Sequence, residues 1–149
     1  MKYLAATVQF EPEMFAKERN IDVLKRLVEE AAASGARLII TPEMGLTGYC
    51  WYDRGEVAPY VEQVPGPSTQ SFAALAAKLD CYIVIGLPEI DAGNGLYYNT
   101  AVLVGPEGYL GKHRKSHPYI AEPKWAASGD TGHQVFETSL GRIALLICM

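Results

Sequence analysis

Two uninterrupted apolar runs, YIVIG at 82–86 and IALLI at 143–147, constrain this chain more tightly than any other feature. A strand that alternates apolar and polar residues can give one face to water, but these runs have no polar face to give and read as strands buried on both sides. Helical periodicity appears in only two segments, both in the first half of the chain. The first carries Ile21, Leu24, Val28 and Ala31, with Leu27 widening the stripe, and stops at Gly35. The second carries Phe72, Leu75, Ala76 and Leu79 after the turn VPGPSTQ, where Ser68 or Thr69 is placed to cap it. Two helices can cover one face of a sheet. The other face has to meet a second sheet or residues outside this sequence.

Residues 3–10 and 36–40 read as strands on either side of the first helix, a βαβ unit whose crossover is expected to be parallel and right-handed. Residues 81–89 form a third strand. Residues 97–115 form a hairpin about Gly105-Pro106-Glu107-Gly108, and 135–138 and 142–147 are the last strands. No repeat, low-complexity tract or linker interrupts them. The 149 residues thus read as one α/β domain or part of one, with about seven strands and two helices.

Apolar residues make up 49% and charged residues 20%, the proportions of a soluble globular protein. A net charge of -4 offers no global attraction to nucleic acid or to an anionic membrane, so neither is expected as a partner. The amino terminus MKYLAATVQFEPEMF is broken by Gln9, Glu11 and Pro12 too soon for a signal sequence, and no run reaches the length of a membrane span. Cysteines stand at 50, 81 and 148, an odd set without C-x-x-C spacing, which points to a reducing compartment, the cytoplasm. No metal is implied, because His113 and His117 lack a third ligand at a helpful spacing.

Cys148 lies at the carboxyl end of a core strand, where open α/β sheets place much of their chemistry. Glu43 directly follows the second strand in LIITPEMGLTGY. In GKHRKSHP, His113, Lys115 and His117 share one face of an extended segment while Lys112, Arg114 and Ser116 share the other. One lysine can therefore point inward while its charged neighbours stay in water. A second acid, Glu122, sits in YIAEPKWAASGD. Each of these has a bland reading alone: a packed thiol, a solvated loop acid, a wet basic strand end. Together they form a set. A free thiol has a pKa of about 8.5 and needs a base to take its proton, and a cation stabilises both thiolate and oxyanion. Cysteine, glutamate and lysine supply what acyl transfer through a thioester requires.

The blocks PEMGLTGY, GKHRKSHP, EPKWAASGD and FETSLGRIALLIC, taken in order, resemble successive signature segments of the nitrilase superfamily, the carbon–nitrogen hydrolases. The resemblance implies the amino-terminal half of a four-layer α-β-β-α sandwich that assembles into dimers or larger homo-oligomers through its outer helices. It makes Cys148 the nucleophile, Glu43 the general base and later acid, and Lys115 the stabiliser of the tetrahedral intermediate. Glu122 becomes the second glutamate that positions substrate and catalytic groups. No cofactor is implied, and the substrate is a small-molecule amide, N-carbamoyl compound or nitrile. Family members continue for roughly as many residues again beyond the cysteine. Residues 1–149 are accordingly expected to be the amino-terminal part of a single carbon–nitrogen hydrolase domain, cut just after its nucleophile.

Two other readings compete. A non-catalytic module could use the basic segment 112–115 to bind a phosphate or a partner. A Cys–His hydrolase would use His113, His117 or His133 as base, but none of the three lies in a motif that also accounts for Glu43 and Glu122. Tyr49, Trp51, Tyr52 and Trp125 are candidates for a pocket wall, although aromatics beside turns more often pack. A polypeptide ending at Met149 would hold its nucleophile at a frayed terminus, without the backbone N–H groups that follow it. Such a polypeptide is expected to be insoluble or inactive. Ammonia release by soluble protein of that length would contradict this.

Overall fold

The computed structural model describes residues 2–148, and its first elements are the βαβ unit that the hydrophobic spacing predicts. Strands β1 (Leu4–Thr7) and β2 (Ala36–Ile40) pair in parallel, joined by helix α1 (Lys17–Ala33). The helix buries Ile21, Leu24 and Val28 on one stripe, and Gly35, at φ +91°, turns the chain out of it in a conformation that glycine adopts without strain. A short helix that the sequence did not announce, α2 (Arg54–Val57), is capped by Asp53, whose side chain accepts from the Glu56 N–H.

Helix α3 (Pro67–Leu79) departs from expectation at its start. Ser68 and Thr69 lie inside it and cap nothing, because Pro67 takes the first helical position and moves the boundary back to Gly66. The Ser68 N–H instead donates to the Glu62 carboxylate at 3.2 Å, and Lys17 holds that carboxylate at 3.3 Å. An acid from outside the helix satisfies the exposed donor.

Strands β3 (Tyr82–Ile90), β4 (Tyr97–Gly105) and β5 (Gly108–Arg114) complete a five-stranded sheet in the order β1-β2-β3-β4-β5. The first three strands are parallel, and β4 and β5 follow as antiparallel hairpins. Every residue of β4 is buried. On one face Leu24, Val28, Phe72 and Ala76 of the helices pack against Ile39, Ile83, Ile85 and Val102. On the other face Tyr82, Ala101 and Leu103 meet Leu145 and Ile147. Those two residues follow a separate hairpin of β6 (Val135–Thr138) and β7 (Gly141–Ala144), so a second sheet layer begins on the face the helices leave open.

The last strand differs from its predicted form. The ladder stops at Ala144, and beyond it Leu145 and Ile147 are buried while Leu146 is 70% exposed. The run is apolar on both sides but has a layer against only one of them within residues 2–148. Among the described residues no helix is long and apolar enough to cross a membrane.

One close approach joins this framework to the chemistry. The Leu46 N–H donates to the Gly86 carbonyl at 3.1 Å, and a Cβ on Gly86 would fall 2.6 Å from the Met44 nitrogen and 2.8 Å from the Pro42 oxygen. Only glycine lets the loop leaving β2 lie this close to β3. Gly86→Ala is expected to lift that loop and to lower stability by about 1–3 kcal/mol, the usual cost of overpacking. Chemical denaturation of the polypeptide carrying this chain should show a lowered midpoint, and an unchanged midpoint would contradict the packing described.

Candidate active site

Glu43, Lys115 and Glu122, far apart in sequence, meet at one end of the sheet. Glu43 follows Thr41, whose N–H and hydroxyl both donate to the Val84 carbonyl, at 3.0 and 2.9 Å, and so continue the line of β2. The next residue, Met44, is fully buried at φ +53°, an uncommon conformation for a side chain of this size that sets the direction in which the loop turns. Lys115 is the first residue past β5. Its N–H donates to the Asn99 carbonyl and its own carbonyl accepts from the Gly129 N–H, each at 2.8 Å. Glu122 opens a single 3-10 turn, Glu122–Lys124.

The Lys115 ammonium donates to Glu43 Oε1 at 2.8 Å and to Glu122 Oε2 at 2.6 Å. Its third contact is a long one, 3.5 Å to the Tyr49 hydroxyl. The side chains of Lys115 and Glu122 are each 1% exposed, whereas Glu43 is 28% exposed. Three of the four residues singled out in the sequence therefore form one ion cluster.

Two members were not anticipated in these roles. Asn99, on β4, donates from Nδ2 to Glu43 Oε1 and to Glu122 Oε1, both at 2.7 Å. Its Oδ1 is buried and has no hydrogen-bond partner among the described residues, a situation that costs about 1–3 kcal/mol. The signal was a lone amide in the apolar strand YYNTAVLVG, since a buried polar group needs partners. Tyr49, considered only as a pocket wall, donates its hydroxyl to Glu122 Oε2 at 2.9 Å.

The two acids are not equivalent. Glu122 accepts from Asn99, Lys115, Tyr49 and the Tyr119 N–H, so both its oxygens are engaged. Burial works to raise its pKa, but these donors outweigh burial and hold it below the ordinary carboxylate value. Glu43 receives both of its bonds on Oε1, and Oε2 has no partner among the described residues. For Lys115, burial favours the neutral amine, yet the two carboxylates prevail and raise its pKa, so it remains an ammonium ion. Burial, reinforced by Glu122, pushes the Tyr49 phenol up to about 12, so it stays protonated and donates.

Cys148 borders the same cavity as Glu43 and Asn99, a space of about 220 Å³ also walled by Pro42, Gly86 and Ile147. Its thiol-bearing residue is exposed and sits at φ +53°. A second cavity of about 470 Å³ lies against the other acid, between Tyr49, Tyr52, Tyr119, Glu122 and Trp125. Trp51 borders this cavity too, but its buried ring is mainly packed, 5.4 Å from Phe15 and 5.1 Å from Tyr60.

The alternation read in GKHRKSHP places Lys115 inward, but its neighbours are not in water. Arg114 is 4% exposed on the opposite side of the sheet, where it donates to Glu89 at 2.5 and 3.1 Å, to Asp91 at 2.6 Å and to Asp130 at 2.8 Å. Lys112 is paired with the same Glu89. A buried carboxylate on β3 draws in both cations, so the basic patch needed by a binding-module reading is already consumed. His113 is buried against Gly132 and stacks on His133 at 5.7 Å, whereas His117 is exposed. Among the described residues no group of three or more His, Cys, Asp and Glu side chains is placed to share a metal ion.

The family model for carbon–nitrogen hydrolases matches residues 4–149. A protein named nitrilase from Pyrococcus abyssi is 35% identical over 96% of this chain and 54% of its own length. A beta-ureidopropionase from Arabidopsis thaliana is 36% identical over 85% of the chain and 33% of its own length, so the chain spans about half or less of these relatives. Among solved structures, an N-terminal amidase superposes with a TM-score of 0.77 at 29% identity, covering 87% of this chain and 32% of that one. The fold is also that of Saccharomyces cerevisiae Nit3, a member of the nitrilase superfamily, with a TM-score of 0.81 at 24% identity over 95% of this chain and 53% of that one. With a match that runs through all four site residues, the chain belongs to the carbon–nitrogen hydrolase family, the nitrilase superfamily.

Proposed function

We propose that the polypeptide carrying this chain hydrolyses a non-peptide C–N bond of a small amide or N-carbamoyl substrate through a thioester on Cys148, releasing ammonia. The observation that carries this reading is the unpartnered Glu43 Oε2 in a carboxylate bordering the Cys148 cavity, beside an acid whose oxygens are both engaged. Two carboxylates and one ammonium leave the cluster with an excess negative charge. A proton from the thiol removes that excess when it lands on Glu43, and Lys115 and Glu122 remain as a balanced pair.

The reaction then balances in four moves. The thiol proton passes to Glu43 as sulfur forms a bond to the carbonyl carbon. The oxyanion draws on the Lys115 ammonium, whose long contact to Tyr49 is the easiest of its three to exchange. Glu43 returns the proton to nitrogen as the C–N bond breaks and ammonia leaves. Water, deprotonated by Glu43, attacks the thioester, and Glu43 passes that proton to sulfur as the C–S bond breaks, restoring the thiol and freeing the acid.

A nitrile substrate is the second reading, favoured by the similarity to the Pyrococcus abyssi nitrilase. There the thiol adds across the C≡N bond to give a thioimidate, one water displaces ammonia and leaves the thioester, and a second water cleaves the C–S bond to give the acid and the free thiol. The same proposal makes residues 1–149 the amino-terminal part of one domain, completed by a further half that covers residues such as Leu146. It also takes the whole to be a cytoplasmic homo-oligomer without a cofactor, in line with the family pattern and the three free cysteines.

Ammonia release should be measured on a panel of amides, N-carbamoyl compounds and nitriles with the full polypeptide. Cys148→Ala is expected to lower the rate at least about a thousandfold, and Lys115→Ala about a hundredfold or more. Retained function in Cys148→Ala would overturn the enzyme reading in favour of a binding module. Turnover of nitriles alone would select the second reading.

A further inference from the structure

We propose that Asn99 is a positioning residue that holds Glu43 and Glu122 as two separate carboxylates and leaves Glu43 as the one proton acceptor facing Cys148. This rests on the roles of Glu43 and Cys148 proposed above and adds a residue that those roles leave without a purpose.

The geometry is unusually restrictive. Both Nδ2 hydrogens are spent, one on Oε1 of each acid at 2.7 Å, and the Asn99 carbonyl accepts the Lys115 N–H at 2.8 Å. One residue thus touches Glu43, Glu122 and the backbone of Lys115. The amide cannot be turned over, because Oδ1 would then face two carboxylate oxygens. Its orientation is dictated by the acids alone, since Oδ1 has no partner of its own among the described residues.

The chemical consequence concerns protons. Two carboxylates that converge on one point tend to share a proton, and then titrate as a pair and not as separate groups. Asn99 occupies that point with a donor that does not titrate. Each acid keeps its Oε1 engaged with an N–H, so among the described residues of the cluster the free carboxylate oxygen left for a proton from the thiol is Glu43 Oε2. Lysine cannot replace the amide, since Lys115 already bridges the acids through a different oxygen of Glu122.

The titratable groups that face Asn99 are Glu43 from the β2 exit, Lys115 past β5, Glu122 from the 3-10 turn and, behind Glu122, Tyr49. Cys148 borders the shared cavity, and Tyr97 on β4 and His113 on β5 lie on the same side of the sheet. None of these can take over the two donations of the amide.

Asn99→Asp provides the test, because it keeps the shape and replaces the donor by a group that donates only when protonated. In the full polypeptide, kcat is expected to fall about a hundredfold at neutral pH while KM changes less than about threefold. Part of the loss should return as the pH is lowered and the new acid takes up a proton, whereas Asn99→Ala should lose kcat without such recovery. A purely structural role would move stability, followed by circular dichroism and thermal midpoint, without reshaping the pH profile. An Asp variant with the parent kcat and profile would overturn the proposal. If that variant does not fold, parental kcat in Asn99→Ala overturns it equally. A parent protein that releases no ammonia and does not depend on Cys148 would instead sink the hydrolase reading, so the two failures are distinguishable.

Discussion

The arrangement turns on a single ammonium ion shut off from the protein surface. Lys115 is 1% exposed, and a charge so enclosed persists only with opposite charge and hydrogen bonds against it. Glu43 and Glu122 provide both, and they can do so only if the β2 exit, the β5 exit and the turn at 122–124 converge. Order in the sheet serves this convergence: β4 lies between β3 and β5, and Asn99 on it reaches the Glu43 and Glu122 carboxylates and the Lys115 N–H. Removing one partner of such a pair typically costs about 3–5 kcal/mol, while an apolar replacement of the whole set would often be neutral or stabilising. The cluster is therefore a poor device for stability, and its arrangement suits the proton-accepting role proposed for Glu43.

A second buried charge sits back to back with the first. Arg114 and Lys115 are adjacent in sequence, so strand geometry sends them to opposite faces of the sheet, and each finds carboxylates there. On the helix side Glu89 accepts from Arg114, Lys112 and the Thr100 hydroxyl, and Arg114 also lies 3.9 Å over the Tyr98 ring. Arg114 further holds Asp130, next to Gly129, whose N–H donates to Lys115. The segment between Lys115 and Gly129, which contains Glu122, is thus closed at its two ends by Arg114, the last residue of β5, and Lys115 just beyond it. Fixing the ends of a loop limits the freedom of the acid in its middle.

Much of this was legible in the chain. The βαβ unit, the hairpin at 97–115 and the inward turn of Lys115 followed from hydrophobic period and strand alternation, which are local properties. The association of Glu43, Lys115 and Glu122 came from chemical complementarity and from family resemblance. What stayed hidden was pairing across long sequence distance. Nothing local says that Glu89 will draw in Arg114 and Lys112, so the basic segment looked solvated. Ser68 looked like a cap because Pro67 hid the true boundary, and Glu62 filled the role from outside. Asn99 was visible as a misfit in an apolar strand, but the two acids to which it donates are brought to it only by the fold.

The division of labour between Cys148 and Glu43 can be tested directly by intact mass spectrometry of the full polypeptide after reaction with an activated ester, whose leaving group needs no proton. In Glu43→Gln the residual thiolate should still be acylated, but water should lack its base, so an acyl adduct is expected to accumulate on Cys148 and to be absent from Cys148→Ala. No adduct in Glu43→Gln, an adduct on another residue, or one that hydrolyses at the parent rate would contradict the assignment of Glu43 as proton carrier to a Cys148 thioester.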